Sequence, residues 1–238
     1  MKNRRLCLAL CVSAMLVSGC ATRSISDSSY REPWRGDSRF EAELSELNVL
    51  GIVTDAANAA PDDGDIANAL TREPLKLKRG SRVLLIQSGA MFPDEPMQRA
   101  LGACFSATPF SGIVDKKSDL NYNRAFRMAA AQGGYDYVLC YWGVLESADR
   151  KLATKTVSWA PVVGRLVPDQ TQQVRIRLKL LAIETKTGRW LMVAPDPIEG
   201  DAISAKLTRE QSDQGLVANL KERGYAALVE ELAAKHME

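Results

Sequence analysis

Residues 135–147, YDYVLCYWGVLES, limit the possible folds more than any other part of the chain. Alternate side chains of a β-strand point to opposite faces. Tyr137, Leu139 and Tyr141 therefore share one face, and Val138, Cys140 and Trp142 share the other. Both faces are apolar or aromatic, so the strand must be central and covered on both sides. The continuous run Val83, Leu84, Leu85, Ile86 predicts a second strand of the same kind.

The stretch QTQQVRIRLKLLAIETKTGRWLMVAPDP has a different period. Val174, Ile176, Leu178 and Leu180 alternate with Arg175, Arg177 and Lys179, which predicts a strand with one core face and one cationic face. TKTG supplies a turn, and RWLMVA returns as the partner strand of a hairpin. PDEPMQRALGACF reads as a helix with acidic residues in its first turn, where the helix dipole favours them. NYNRAFRMAAAQGG brings Tyr122, Phe126 and Ala129 or Ala130 to one side and stops at Gly133 and Gly134. Between those helices ATPFSGIVD, short and marked by proline, predicts a strand near a sheet edge. PDDGDIANAL predicts a short helix capped by Asp62 or Asp63, and LNVLGIV a small apolar element before it. Leu216, Leu220, Ala227, Leu228 and Leu232 fall at helical spacing and predict one long closing helix.

The expected fold is an α/β (α+β, mixed-sheet) domain of two layers, with helices packed on a mixed β-sheet in the order β-α-β-α-β-β-β-α. The domain is placed at residues 46–238, with its core at 80–232.

The chain opens with a basic MKNRR, an apolar run over residues 6–17 and the small-residue site SGC, the three parts of a secretory signal over residues 1–19. The apolar run is shorter than the roughly 20 residues that a transmembrane helix needs. Val17, Ser18, Gly19 and Cys20 resemble the lipobox of bacterial lipoproteins. That resemblance implies cleavage before Cys20 and acylation of its thiol, with palmitate-like chains holding the protein to a membrane. Ala21 stands where an aspartate would imply inner-membrane retention, so the expected location is the outer membrane, facing the periplasm. Residues 20–45 are polar over most of their length and read as a lipid anchor and flexible tether.

Removing Lys2, Arg4 and Arg5 with the signal leaves 28 basic against 29 acidic residues. Nucleic-acid binders carry a basic excess, so that class is disfavoured. Cys104 and Cys140 remain in a compartment that permits disulfides. Their pairing and their separate burial both stay open at this point.

The chain shows no recognisable catalytic set. Its one histidine, His236, lies near the end, and HExxH, GxSxG and Ser-x-x-Lys motifs do not occur. PDDGD lacks the later spacing and glutamate of a calcium-binding EF-hand loop and reads as a cap and turn. No metal and no cofactor are expected. TKTVSWAPVVGRLVPDQ holds Trp159, Val162, Val163 and Leu166 in a segment read as a loop. Either it folds back over the sheet, or it exposes an apolar patch that meets a partner or membrane. Arg175, Arg177 and Lys179 form the matching candidate seat for an anionic surface.

GGYDYVLCYWGVLES followed by VRIRLKLLAIETKTGRW is similar in layout to the small α/β domain of outer-membrane lipoproteins that activate penicillin-binding proteins. The curli-secretion lipoprotein and the amino-terminal domain of the Tol-system propeller protein share that domain. LSELNVLGI, LLIQSGA, YWGVLE, VSWAPVVG and RIRLKL resemble an uncharacterised proteobacterial lipoprotein family, some members of which carry an aminopeptidase label. The expected function is a non-catalytic module that binds an envelope protein or peptidoglycan. A hydrolase of aminopeptidase type and a small-ligand carrier using Tyr137, Tyr141 and Trp142 are the alternatives.

Overall fold

The computed structural model describes residues 23–27, 43–51, 62–113, 121–149, 158–161, 172–202 and 209–238. Its centre is the pairing of β4 (Tyr137–Asp149) with β6 (Gln172–Glu184), antiparallel along their whole length. β2 (Arg82–Gln87) lies parallel to the first part of β4, and β3 (Ser106–Phe110) lies parallel to β2 at the sheet edge. Pro109 sits in that edge strand, where its missing N–H costs no ladder bond to a further strand. β7 (Trp190–Val193) completes the hairpin on the other side of β6, giving the order β3-β2-β4-β6-β7.

Three short strands were not legible in the sequence. β1 (Arg23–Ser24) and β5 (Ser158–Pro161) take the edge of β4 beyond the end of β2, while β8 (Ile198–Ala202) takes the edge of β6 beyond β7. The segment around Trp159, expected as a loop, is therefore a strand in part, with Trp159 opposite Ala148. The free upper edge of β4 supplies its backbone partners. Val162, Val163 and Leu166 lie outside the described residues.

The mixed α/β fold is the one expected, but helices cover both faces of the sheet, so it has three layers and not two. Val83, Leu85, Leu139 and Tyr141 pack on one face with α3 (Glu95–Gly102) and the closing α5 (Arg209–His236). Leu84, Ile86, Val138 and Trp142 pack on the other with α1 (Glu46–Leu50) and α4 (Tyr122–Gly133). This is the consequence of two strands that are apolar on both sides. Tyr122, Phe126 and Ala130 are the buried residues of α4, as its spacing predicts. α2 (Asp63–Leu70) begins in a full capping box from Asp62 and Asp65 yet buries no residue. The core also reaches past its expected limits, because Leu77 is fully buried and bridges Met237 at the chain end.

Cys104 and Cys140 are free and buried, and they do not pair. Cys104 packs in the core of one sheet face and Cys140 in the other, with the sheet between them. Burial pushes the Cys140 thiol well above its ordinary pKa, so it stays protonated.

The β6–β7 turn places Gly188 at φ 74°, a conformation that glycine adopts without strain. Burial alone would raise the Glu184 carboxyl. Hydrogen bonds from Thr187 and Arg189, with the charges of Arg189 and Lys186, outweigh it and hold the pKa below the usual value. A carboxylate depressed in the folded state stabilises fully above its unfolded pKa of about 4.3, and the contribution fades as pH falls through the depressed value. Glu184→Gln is expected to be less stable than wild type near neutral pH by on the order of 1 kcal/mol. Urea midpoints measured down the acid range should converge as Glu184 takes up its proton.

Candidate functional site

In open α/β sheets, ligands sit in the crevice beyond the carboxyl ends of the parallel strands. Here a polar cluster occupies that position. Gln87 ends β2, Tyr141 lies beside it on β4, Asp94 stands at the start of α3, and Lys221 and Tyr225 come from α5. Lys221 and Tyr225 are four residues apart, so they share one face of the helix.

Asp94 Oδ2 accepts from Lys221 Nζ at 2.7 Å and from Tyr225 Oη at 2.5 Å. Gln87 Oε1 accepts from Tyr141 Oη at 2.5 Å and from the Asp94 amide at 2.7 Å. The Tyr141 and Tyr225 rings meet edge to face, with centroids 5.7 Å apart. Burial pushes both phenols far above their ordinary range. Asp94 adds to the effect on Tyr141, while Tyr141 and then Asp94 add to it on Tyr225. Both phenols therefore keep their protons and act as donors, not as bases.

The chain's own N-terminal stretch closes the crevice. Lys221 Nζ donates to Ile25 O at 2.9 Å. Ser26 Oγ donates to Ser88 O at 2.5 Å and accepts from Gln87 Nε2 at 3.1 Å. The Ile25 side chain, 1% exposed, lies in the core over Gly143, where an added Cβ would come within 2.9 Å of it. On the other face Leu44 N donates to Ser88 Oγ at 2.8 Å, and Trp142 Nε1 donates to Leu44 O at 2.8 Å. Residues 23–27 and 43–45, expected as parts of a free tether, are thus docked on the sheet. Serine, lysine and tryptophan polar atoms bond their backbone groups, which a polar sequence without periodicity does not announce.

The cationic row is also accounted for internally. Arg175 Nε donates to Glu146 Oε2 at 2.5 Å, and Arg177 reaches Glu146 at 3.6 Å. Glu146 and Arg175 are cross-strand neighbours, which sets that pair. Lys179 pairs with Glu46 and lies 5.9 Å from the Trp142 ring centroid. Burial lowers the Lys179 pKa, partly opposed by Glu43. The row is therefore no uncompensated seat for an anion, and Arg177, 57% exposed, is its accessible member. Among the described residues no group of three or more His, Cys, Asp or Glu side chains is placed to hold a metal ion. No helix among them is long and apolar enough to cross a membrane.

The family model of the YafT bacterial lipoproteins matches residues 45–235. The chain belongs to the YafT bacterial lipoprotein family. As a YafT-family lipoprotein it is a membrane-anchored envelope protein, and the matched region holds every described strand but β1 and all but the end of the closing helix. No curated protein matches the chain. Two solved structures of the PelC dodecamer from Paraburkholderia phytofirmans are similar to it. One, a leucine-to-methionine variant, is 15% identical, covers 66% of this chain and 95% of its own, and superposes with a TM-score of 0.27. The other is 14% identical, covers 65% of this chain and 95% of its own, and has a TM-score of 0.26.

The docking of residues 23–27 was missed because one isoleucine in a polar stretch carries no period. The polar cluster left one signal. Lys221 lies four residues before Tyr225 and seven before Leu228, within the apolar stripe of the closing helix.

Proposed function

We propose that this YafT-family protein is an outer-membrane lipoprotein acylated at Cys20, whose periplasm-facing domain binds an envelope protein or peptidoglycan without catalysing a reaction. The observation that carries the non-catalytic reading is the filled crevice. The position where an α/β fold would hold a substrate is taken by Ile25 and Ser26, bonded to Lys221 and Gln87. Tyr137, Tyr141 and Trp142, the aromatic set of the ligand-carrier alternative, are each under a tenth exposed and pack in the two cores. The resemblance in layout to penicillin-binding-protein activators, curli-secretion and Tol-propeller domains, read from the sequence alone, belongs to the same reading, since it suggests a module that presents a surface.

Arg177 and the strand bearing Trp159 are the partner contacts to test. A photocrosslinking residue at position 177 or 159, in cells making the full-length protein, is expected to trap one discrete protein or glycan partner. Recovery of background alone at both positions contradicts the binding module. Turnover of aminoacyl reporter substrates by the purified protein would favour the hydrolase alternative instead.

A further inference from the structure

The helix α2 (Asp63–Leu70) buries none of its own residues, and each of them is exposed. A helix of about two turns is marginal alone in water and normally depends on a packed face. Its face is nonetheless patterned. Asp63, Ile66 and Leu70 fall at i, i+3 and i+7, so they share one side. Ile66 is 53% exposed and Leu70 82% exposed. Large apolar side chains grouped in the open like this mark a contact surface.

The charges along the same stretch point to what covers it. Residues 62–65 hold three aspartates, while residues 72–79 hold Arg72, Lys76, Lys78 and Arg79 against the one carboxylate of Glu73. Asp62 Oδ1 accepts from Asp65 N at 2.8 Å, and Asp65 Oδ2 accepts from Asp62 N at 3.2 Å, which closes the cap. Asp63 takes no part in that exchange, and among the described residues no cation pairs with its carboxylate. Lys76 Nζ donates to the Lys235 carbonyl at 2.7 Å, and Arg79 reaches Cys104 Sγ at 3.5 Å. None of the four cations meets a carboxylate among the described residues. The stretch is thus acidic at its start, apolar in its middle and basic beyond its end. Two copies laid antiparallel are complementary. Ile66 of each then meets Leu70 of the other, and the aspartates of each approach Arg72 and the lysines beyond it. One two-fold axis makes every such contact twice, and the opposed helix dipoles add to the attraction.

We infer that α2 is a self-docking helix, through which two membrane-anchored copies of this chain pair antiparallel about a two-fold axis. Two helices this short bury less than the roughly 1,200 Å² of a stable interface. The pair is therefore weak between dissolved copies and belongs to the membrane surface, where the lipoprotein anchor confines both partners and raises their effective concentration.

The test uses the full-length protein in cells, with a photocrosslinking residue at position 70. The pair predicts a covalent dimer whose crosslink maps to the stretch around Ile66 of the second copy. Asp63→Lys and Arg72→Glu are each expected to reduce dimer capture several-fold, and the two together to restore it. Within one copy both changes oppose the helix dipole, so restoration reports charges matched again across the pair. The mapped crosslink site gives the register independently of these variants. Membranes that contain the protein but yield no dimer through position 70 overturn the pair. Capture there of lipid, or of a different protein, overturns it in favour of that occupant. A dimer that neither single charge reversal weakens, or that the double variant fails to restore, overturns the antiparallel docking.

Discussion

Lys221→Met is expected to lower the thermal unfolding midpoint by roughly 10 °C, from a loss of about 3 kcal/mol. The Lys221 ammonium lies 2.7 Å from Asp94 Oδ2 and 2.9 Å from Ile25 O, and its side chain is 10% exposed. Removing it leaves a carboxylate held by Tyr225 alone among these side chains and strips a donor from the Ile25 carbonyl. Breaking a buried pair from one side costs about 3–5 kcal/mol, and the lower figure applies because some water reaches Asp94. Asp94 is 25% exposed in its side chain. The double replacement of Lys221→Met with Asp94→Asn should recover part of the loss, since it leaves no unpaired charge. Hydrogen exchange gives the second readout. Amides of residues 24–27 should exchange faster in the single variant, because the ammonium joins that stretch to the closing helix. An unchanged midpoint together with unchanged exchange would contradict the clamp.

Gly112→Ala is the second large effect. A Cβ at this position would stand 1.9 Å from the carbonyl oxygen of Gln87 and 2.7 Å from its carbon, both backbone atoms that no rotamer change can move. The loops after β2 and β3 must then separate, with loss of the two hydrogen bonds that Gly112 shares with Gly89 and Ala90. Overpacking of this kind costs about 1–3 kcal/mol, and the rigidity of both partners places this case near the top of the range. The expected midpoint falls by about 5–10 °C. Amide exchange at Gly89 and Gly112 should rise more than at the centre of β2, so a uniform change along the strand would count against the mechanism.

The parts of this fold that announce themselves in the sequence are those whose side chains carry a period. β4 shows apolar residues at both parities, β6 alternates over residues 174–180 before an apolar run to Ile183, and α4 ends at the glycine that adopts a left-handed conformation. Each pattern follows from burial by neighbours that it does not need to name. β1, β5 and β8 are read less easily because they hold on through backbone bonds to edges left free by longer strands. Their own side chains need obey no alternation. The choice between a disulfide and two separate thiols stayed open for a related reason. Cys104 and Cys140 are both apolar-run cysteines, and only the topology reveals that the sheet separates them.

The polar cluster was hidden because its members are scattered. Gln87, Asp94, Tyr141, Lys221 and Tyr225 come from β2, β4, α3 and α5, and each alone passes for a strand end, a helix start or a surface lysine. Likewise the row Arg175, Arg177 and Lys179 is correctly placed on one strand face, yet its charge is met by Glu146 and Glu46. Glu146 sits on β4 near the strand's polar end, and its register against Arg175 follows only from the long β4–β6 pairing. Periodicity specifies which face a residue occupies, and pairing decides whether its charge is free.

The proposed envelope role depends above all on acylation of Cys20, three residues ahead of a stretch docked into the sheet. Intact-mass analysis of the mature protein from membranes tests it most directly, with Cys20→Ser made in parallel. The predicted result is a chain that begins at Cys20 and carries the added mass of a diacylglyceryl group, with the serine variant unprocessed and unacylated. A mature wild-type chain that begins elsewhere, or that carries no acyl mass, would contradict it.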